Sequence, residues 1–334
     1  MLGIIFLIQI FRGLILVLFY STEDFLRFFS IQFLINENFF GWFIRLIHIN
    51  FVRFFFIILF IHIIKAIYYI SFKLAKVWFI GFFILLFLIL ESFLGYVLIW
   101  SQISYWACIV IREFLSIIPF FGFKIIFWIW SGYWTSSFTI KFFFCLHFVL
   151  PLVISLIIFL HCIIYLHVYI RTSILFVRQI SVNFAPYYLI KDFLNFIFIL
   201  IFILFFLFFP FFFNDIEIFL EKDELNSPMH IEPEWYFLFI YCILRSFPNK
   251  LLGIFIIFIS IFLILILIIN KNYKNSFNLF YKIYFFLFIM NLIILSWLGE
   301  CEVIYPFIFL GLIFSFLYLK FFFYIFILFH YYSK

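Results

Sequence analysis

The chain has 334 residues, 69% of them hydrophobic and 11% charged, with a mean hydropathy of +1.33 and a formal net charge of +6. No soluble domain of this size has such a composition, so a water-soluble enzyme is excluded, no nucleic-acid partner is expected, and the fold class is all-α and polytopic in a membrane. Phe alone supplies 66 residues, which reads as drift in a T-rich, organelle-type genome.

Apolar runs predict eight transmembrane helices, at about 2–20, 41–69, 77–98, 139–169, 192–213, 250–270, 282–299 and 304–328. The first is too long for a signal-peptide core and has no cleavage site, so it is read as a span. Loop charge alternates. Segment 65–76 carries Lys65, Lys73 and Lys76, stretch 170–192 carries Arg171, Arg178 and Lys191, and segment 271–282 carries Lys271, Lys274 and Lys282. Segments 21–40 and 214–234 are acidic, and Glu300 and Glu302 close the last turn on the same side. The positive-inside rule then puts both termini on the basic face. Short apolar pieces in the connector 101–138 read as surface helices on the acidic face. The five cysteines are scattered, with no C-x-x-C-H for covalent haem and no zinc spacing, and read as buried thiols.

Two histidine pairs stand out. His48 and His62 lie fourteen residues apart in the second span, and His147 and His161 fourteen apart in the fourth. Fourteen residues is close to four turns, so each pair shares a helix face with about 21 Å between its members. Both spans run from the acidic to the basic face, which levels His48 with His147 and His62 with His161. Neutral imidazoles in facing pairs suit iron held between two axial ligands, a centre for electron transfer.

Arg45 and Lys65 each sit one turn outward from a histidine, where they could pair with haem propionates or snorkel to the interface. Gly81 and Gly95, also fourteen apart, would leave room for two flat macrocycles or mark helix packing. Glu234, in Pro233-Glu234-Trp235-Tyr236, lies beside an apolar run whose desolvation suits it to proton transfer. Arg12, in mid-span beside Gln9, is costly in lipid. The residues alone leave three readings open: a di-haem quinol-oxidising subunit, a di-haem b anchor of another respiratory enzyme, and a non-redox proton-channel subunit with histidine relays.

The motifs GWFIRLIH at 41–48, GYVLIWSQISYW at 95–106, HFVLP at 147–151, PYYLIKD at 186–192 and PEWY at 233–236 resemble the cytochrome b family, the central membrane subunit of the cytochrome bc1 complex (complex III). The resemblance covers nearly the whole chain. It implies an N-terminal di-haem four-helix bundle over 1–190 and C-terminal transmembrane helices with the PEWY loop over 191–334. It also implies two non-covalent b-type haems, with His48 and His147 ligating the low-potential one and His62 and His161 the high-potential one. Arg45 and Lys65 would meet propionates, and Gly13, Gly81 and Gly95 would pack against the haems. Pro233, Glu234, Trp235, Tyr236 and Tyr241 would form the outer quinol site, and Lys191, Asp192 and His167 the inner quinone site. The implied activity is quinol–cytochrome c oxidoreduction by a Q cycle, with ubiquinone as substrate. The implied partners are a Rieske iron–sulfur protein, cytochrome c1, other complex III subunits, lipid and a second copy of the chain. The implied location is the mitochondrial inner membrane, with both termini on the matrix side.

Departures from the family pattern are specific. Ile99-Trp100-Ser101-Gln102 stands where P-W-G-Q is usual, and Ala107 where glycine is. Both changes add bulk at the outer pocket and predict weaker binding of inhibitors that press on that backbone. His167 follows His161 by six residues where five is usual, and Lys65 lacks the bidentate fork of the common arginine. The chain also starts late against the pattern: the N-terminal surface helix is missing, and the glycine fourteen before Gly13 would precede Met1.

Overall fold

A computed structural model describes residues 1–173, 182–228, 231–269 and 279–331. Of the charges used to orient the chain, Arg178, Lys271 and Lys274 lie outside the described residues, as does the side chain of Arg171. The described residues form helices joined by loops, the longest of them between Phe208 and Leu238, with one isolated β-bridge between Ser101 and Glu221.

Twelve α-helices follow one another among the described residues: α1 (Leu2–Val17), α2 (Arg27–Glu37), α3 (Gly41–Tyr68), α4 (Ala75–Val97), α5 (Gln102–Ser116), α6 (Gly122–Ile129), α7 (Ser137–Ser173), α8 (Leu189–Phe208), α9 (Leu238–Ser246), α10 (Lys250–Ile266), α11 (Leu279–Glu300) and α12 (Phe307–Tyr331). The expected all-α class is observed. Six helical stretches are both long and apolar enough to cross a bilayer: Gly41–Tyr68, Ala75–Val97, Ser137–Val168, Phe184–Phe208, Leu279–Glu300 and Phe307–Ile325. The other two expected spans, α1 and α10, have 16 and 17 residues and stop short of that length. At the end of α1 the chain tightens, with Leu18 and Phe19 donating to carbonyls three residues back, and α10 passes into a 3-10 turn at Leu267–Ile269.

Helices α1, α3, α4, α7 and α8 share one apolar core, in which Ile5, Phe51, Phe54, Phe56 and Ile154 are almost fully buried. A second core joins α9 to α12 with the α3–α4 turn, around Phe72, Ile243, Leu295 and Ile325. Side-chain hydrogen bonds tie α3 and α4 to the later helices. Trp78 Nε1 donates to the Ile264 carbonyl at 2.8 Å, and Tyr281 Oη to the Ile67 carbonyl at 2.5 Å. The connector 101–138 folds as expected into two short helices, α5 and α6. Ser101 starts α5 with a capping box: its backbone N–H donates to Ser104 Oγ at 2.9 Å while its own side chain faces the Ser104 backbone.

Candidate functional site

Helix α3 carries His48 and His62, and α7 carries His147 and His161, as the spacing requires. At the outer level the two imidazoles face each other with centres 6.5 Å apart and planes at 88°. Two imidazoles bonded to opposite sides of one metal ion by bonds of ~2 Å have ring centres ~6 Å apart, so the separation is of the right size for one ion once ring nitrogens turn toward each other. Gln9 of α1 fixes the level by donating from Nε2 to the His48 carbonyl at 2.7 Å. Pro151 lies inside α7 and lines the same cavity. It has no N–H for the His147 carbonyl, which leaves that rung of the helix open.

The glycines sit against the histidines themselves. A Cβ on Gly95 would stand 2.6 Å from His147 Cε1, one on Gly81 3.2 Å from His161 Cε1, and one on Gly13 3.4 Å from His48 Cε1. The slots expected for flat rings are thus also the slots that admit the imidazole edges. Arg45 is 5% exposed and lines the outer cavity, with Nη1 buried and unpartnered, whereas Lys65 is exposed. Nδ1 of His48 and of His161 is likewise buried without a hydrogen-bond partner. Facing imidazoles, glycine cradles and a buried cation with a spare donor suit a haem at the outer level. At the inner level His161 is half-buried against Gly81 and His62 is exposed.

The PEWY segment enters the same outer cavity. Glu234, Tyr236, His48 and His147 all line it. Tyr236 is buried and stacks on Phe56 of α3 with centroids 4.1 Å apart. Glu234 is not alone among apolar groups, as its neighbours in sequence suggest. Arg53 of α3 grips it with Nε to Oε2 at 2.8 Å and Nη2 to Oε1 at 2.6 Å. The same guanidinium donates from Nη1 to Asn214 Oδ1 at 2.5 Å and to Asn50 Oδ1 at 3.3 Å. Asn50 Nδ2 then donates to the Pro210 carbonyl at 2.9 Å.

Other predicted residues lie apart from this cluster. Trp235 meets Phe60 edge-on, and Tyr241 Oη reaches the Ile231 carbonyl at 3.5 Å under the Arg245 guanidinium. Of the stretch 99–102, Ile99 lines the cavity while Ser101 serves the α5 cap. Lys191 and Asp192 are exposed at the start of α8, and His167 is exposed on α7. Among the described residues no hydrogen bond or ion pair joins those three. Arg12 has its guanidinium over Phe43 and Phe51, 5.5 and 5.3 Å from the ring centres, which offsets part of its burial.

Two site residues escape the motif reading: Arg53, and Glu91 on α4, whose Oε1 lies 2.5 Å from His147 Nδ1. Each is a charged side chain within a span, which is the one signal in the sequence that could have singled it out.

Residues 1–170 match the family described as Cytochrome b/b6/petB, and residues 221–319 the family described as Cytochrome b(C-terminal)/b6/petD. The cytochrome b of Caenorhabditis elegans is 42% identical over 95% of this chain and 86% of its own length. That of Apis mellifera ligustica is 41% identical over 96% and 85%. Among solved structures, a chain of a hyperthermophilic respiratory complex III superposes with a TM-score of 0.86 at 29% identity, covering 96% of this chain and 87% of that one. With both halves matched and relatives alike over almost their full length, the chain belongs to the cytochrome b family.

Proposed function

We propose that the chain is the central subunit of a ubiquinol–cytochrome c oxidoreductase, working by a Q cycle in the mitochondrial inner membrane. The observation that carries this reading is the shared outer cavity, where His48, His147 and Glu234 line one space. Two b-type haems, when bound, supply one-electron transfer between the membrane faces. His48 and His147 would hold the outer haem and His62 and His161 the inner. Arg45 would meet a propionate at the outer level and Lys65 at the inner, with Gly13, Gly81 and Gly95 setting the ring edges.

Glu234 accepts a proton from quinol by exchanging its Arg53 partner for the quinol hydroxyl. Arg53 keeps the carboxylate oriented as an acceptor until that exchange. Tyr236 lines the same cavity as Glu234. Pro233, Trp235 and Tyr241 would contact quinol from beside it, and Lys191, Asp192 and His167 would serve quinone at the inner site. Helices α1 and α10 cross the membrane as well, giving eight spans with both termini on the matrix side. The di-haem bundle occupies 1–190 and the remaining helices 191–334. A Rieske protein, cytochrome c1, other complex III subunits and a second copy of the chain are the partners. A di-haem anchor would leave the Arg53–Glu234 pair inside the histidine cavity without a task, and a proton channel would leave the glycines set against the imidazoles without one.

The test is Glu234→Gln in the purified complex. Quinol oxidation is expected to fall ~100-fold, the lower end of general-base contributions, with both b-type absorption bands retained. An unchanged rate, or a wild-type complex without b-type bands, would refute the reading.

A further inference from the structure

Glu91 has no place in the family motifs quoted above, yet it is a carboxylate within a membrane helix and needs a reason to be there. It lies on α4 one turn before Gly95, so both face His147. Its side chain is 12% exposed, and Oε1 stands 2.5 Å from His147 Nδ1. The geometry is a close carboxylate-to-ring-nitrogen contact and not a formed hydrogen bond, since Nδ1 has no hydrogen-bond partner. Oε2 is buried without a hydrogen-bond partner, so the carboxylate is not held by a competing donor. Glu91 lines the same cavity as His48, His147 and Arg45.

We propose that Glu91 is the positioning residue of His147: its carboxylate accepts the Nδ1 proton, presents Nε2 to the cavity and sets how strongly the outer centre attracts an electron. The proposal rests on His147 being an axial ligand of the outer haem. A carboxylate on the far nitrogen of a ligating imidazole fixes its tautomer and raises its basicity. A more basic ligand, with a negative charge beside it, favours the oxidised form of the iron and lowers its reduction potential. No equivalent carboxylate contact is seen at His48, whose Nδ1 is buried without a hydrogen-bond partner among the described residues. The outer iron would thus take its asymmetry from one residue on α4.

The experiment is a redox titration of both b-type haems in the intact complex, for wild type, Glu91→Gln and Glu91→Asp, with the low-temperature electron paramagnetic resonance of the oxidised protein. Glu91→Gln keeps an acceptor but loses the charge. It is expected to raise the electron affinity of the outer haem about tenfold, ~59 mV for a one-electron couple, and to move that haem's resonance while the inner haem stays put. Glu91→Asp keeps the charge and is expected to stay nearer to wild type than Glu91→Gln does. Unchanged potentials with both haems present would overturn the proposal, and so would equal shifts at both haems or equal shifts in the two variants. If Glu91→Gln does not assemble, Glu91→Asp, which keeps the charge but shortens the reach to His147, carries the test through its resonance: a change confined to the outer haem supports the proposal, and no change, or an equal change at both haems, overturns it. A wild-type complex lacking an outer haem would instead refute the ligand assignment beneath it.

Discussion

Arg53 and Glu234, 181 residues apart in sequence, meet through two parallel hydrogen bonds in the cavity that His48 and His147 also line. The arginine is 3% and the glutamate 13% exposed, so neither charge is solvated by bulk water. Removing one member strands the other. Arg53→Met is therefore expected to weaken the fold by ~3–5 kcal/mol, read as earlier loss of b-type absorbance on heating. The double replacement R53M/E234M removes both charges and is expected to recover most of that loss. A single variant as heat-stable as wild type would show that the pair does not bind the helices together.

Glycine tolerance should follow the space beside each histidine. Gly95→Ala forces a Cβ against His147 Cε1 and Nε2, Gly81→Ala presses His161 more mildly, and Gly13→Ala makes ordinary contact with His48. Haem content per chain is expected to fall in that order, with ~1–3 kcal/mol of overpacking at Gly95 and little at Gly13. Equal retention in all three would show that the rings can move aside freely.

The two cations outward of the histidines should differ in weight. Arg45 is buried with a donor to spare, and Lys65 stands at the exposed surface. Arg45→Leu is expected to lower occupancy of the outer haem several-fold, whereas Lys65→Leu changes the inner one by no more than an exposed ion pair is worth, ~1 kcal/mol or less. Haem-to-protein ratios and difference spectra of the two variants decide the order.

Much of this was legible in the sequence because helical period alone fixes it. Fourteen-residue spacings put His48, His62, His147 and His161 on facing stripes, and the glycines follow the same repeat. The Arg53–Glu234 grip was not legible, since nothing local links α3 to the PEWY segment. It is made when α3 and the segment before α9 pack together. Glu91 was missed for a related reason. Its meaning lies on α7, and within α4 it reads only as a charge in the wrong solvent. The eight-span pattern came out as six full-length spans because hydropathy does not register where a helix tightens, as it does after Val17 and after Ile266.

Ser101 and Ala107, both bulkier than the family's usual glycines, should behave differently. Ser101 is committed to the capping box of α5, so Ser101→Gly is expected to leave outer-site inhibitor affinity unchanged and to lose a few tenths of a kcal/mol in stability. Ala107 is half-buried with no such task, and Ala107→Gly is expected to tighten inhibitors that lie along that backbone. Titration of quinol oxidation with such an inhibitor separates the two. Identical affinities for Ala107→Gly and wild type would defeat the expectation.

The PEWY carboxylate and the imidazoles of His48 and His147 line one cavity. In the proposed reading, a molecule seated beside Glu234 changes the surroundings of the outer chromophore directly. The colour of that haem then becomes a built-in gauge of occupancy, so candidate antagonists could be ranked by band displacement alone, with no turnover and no label.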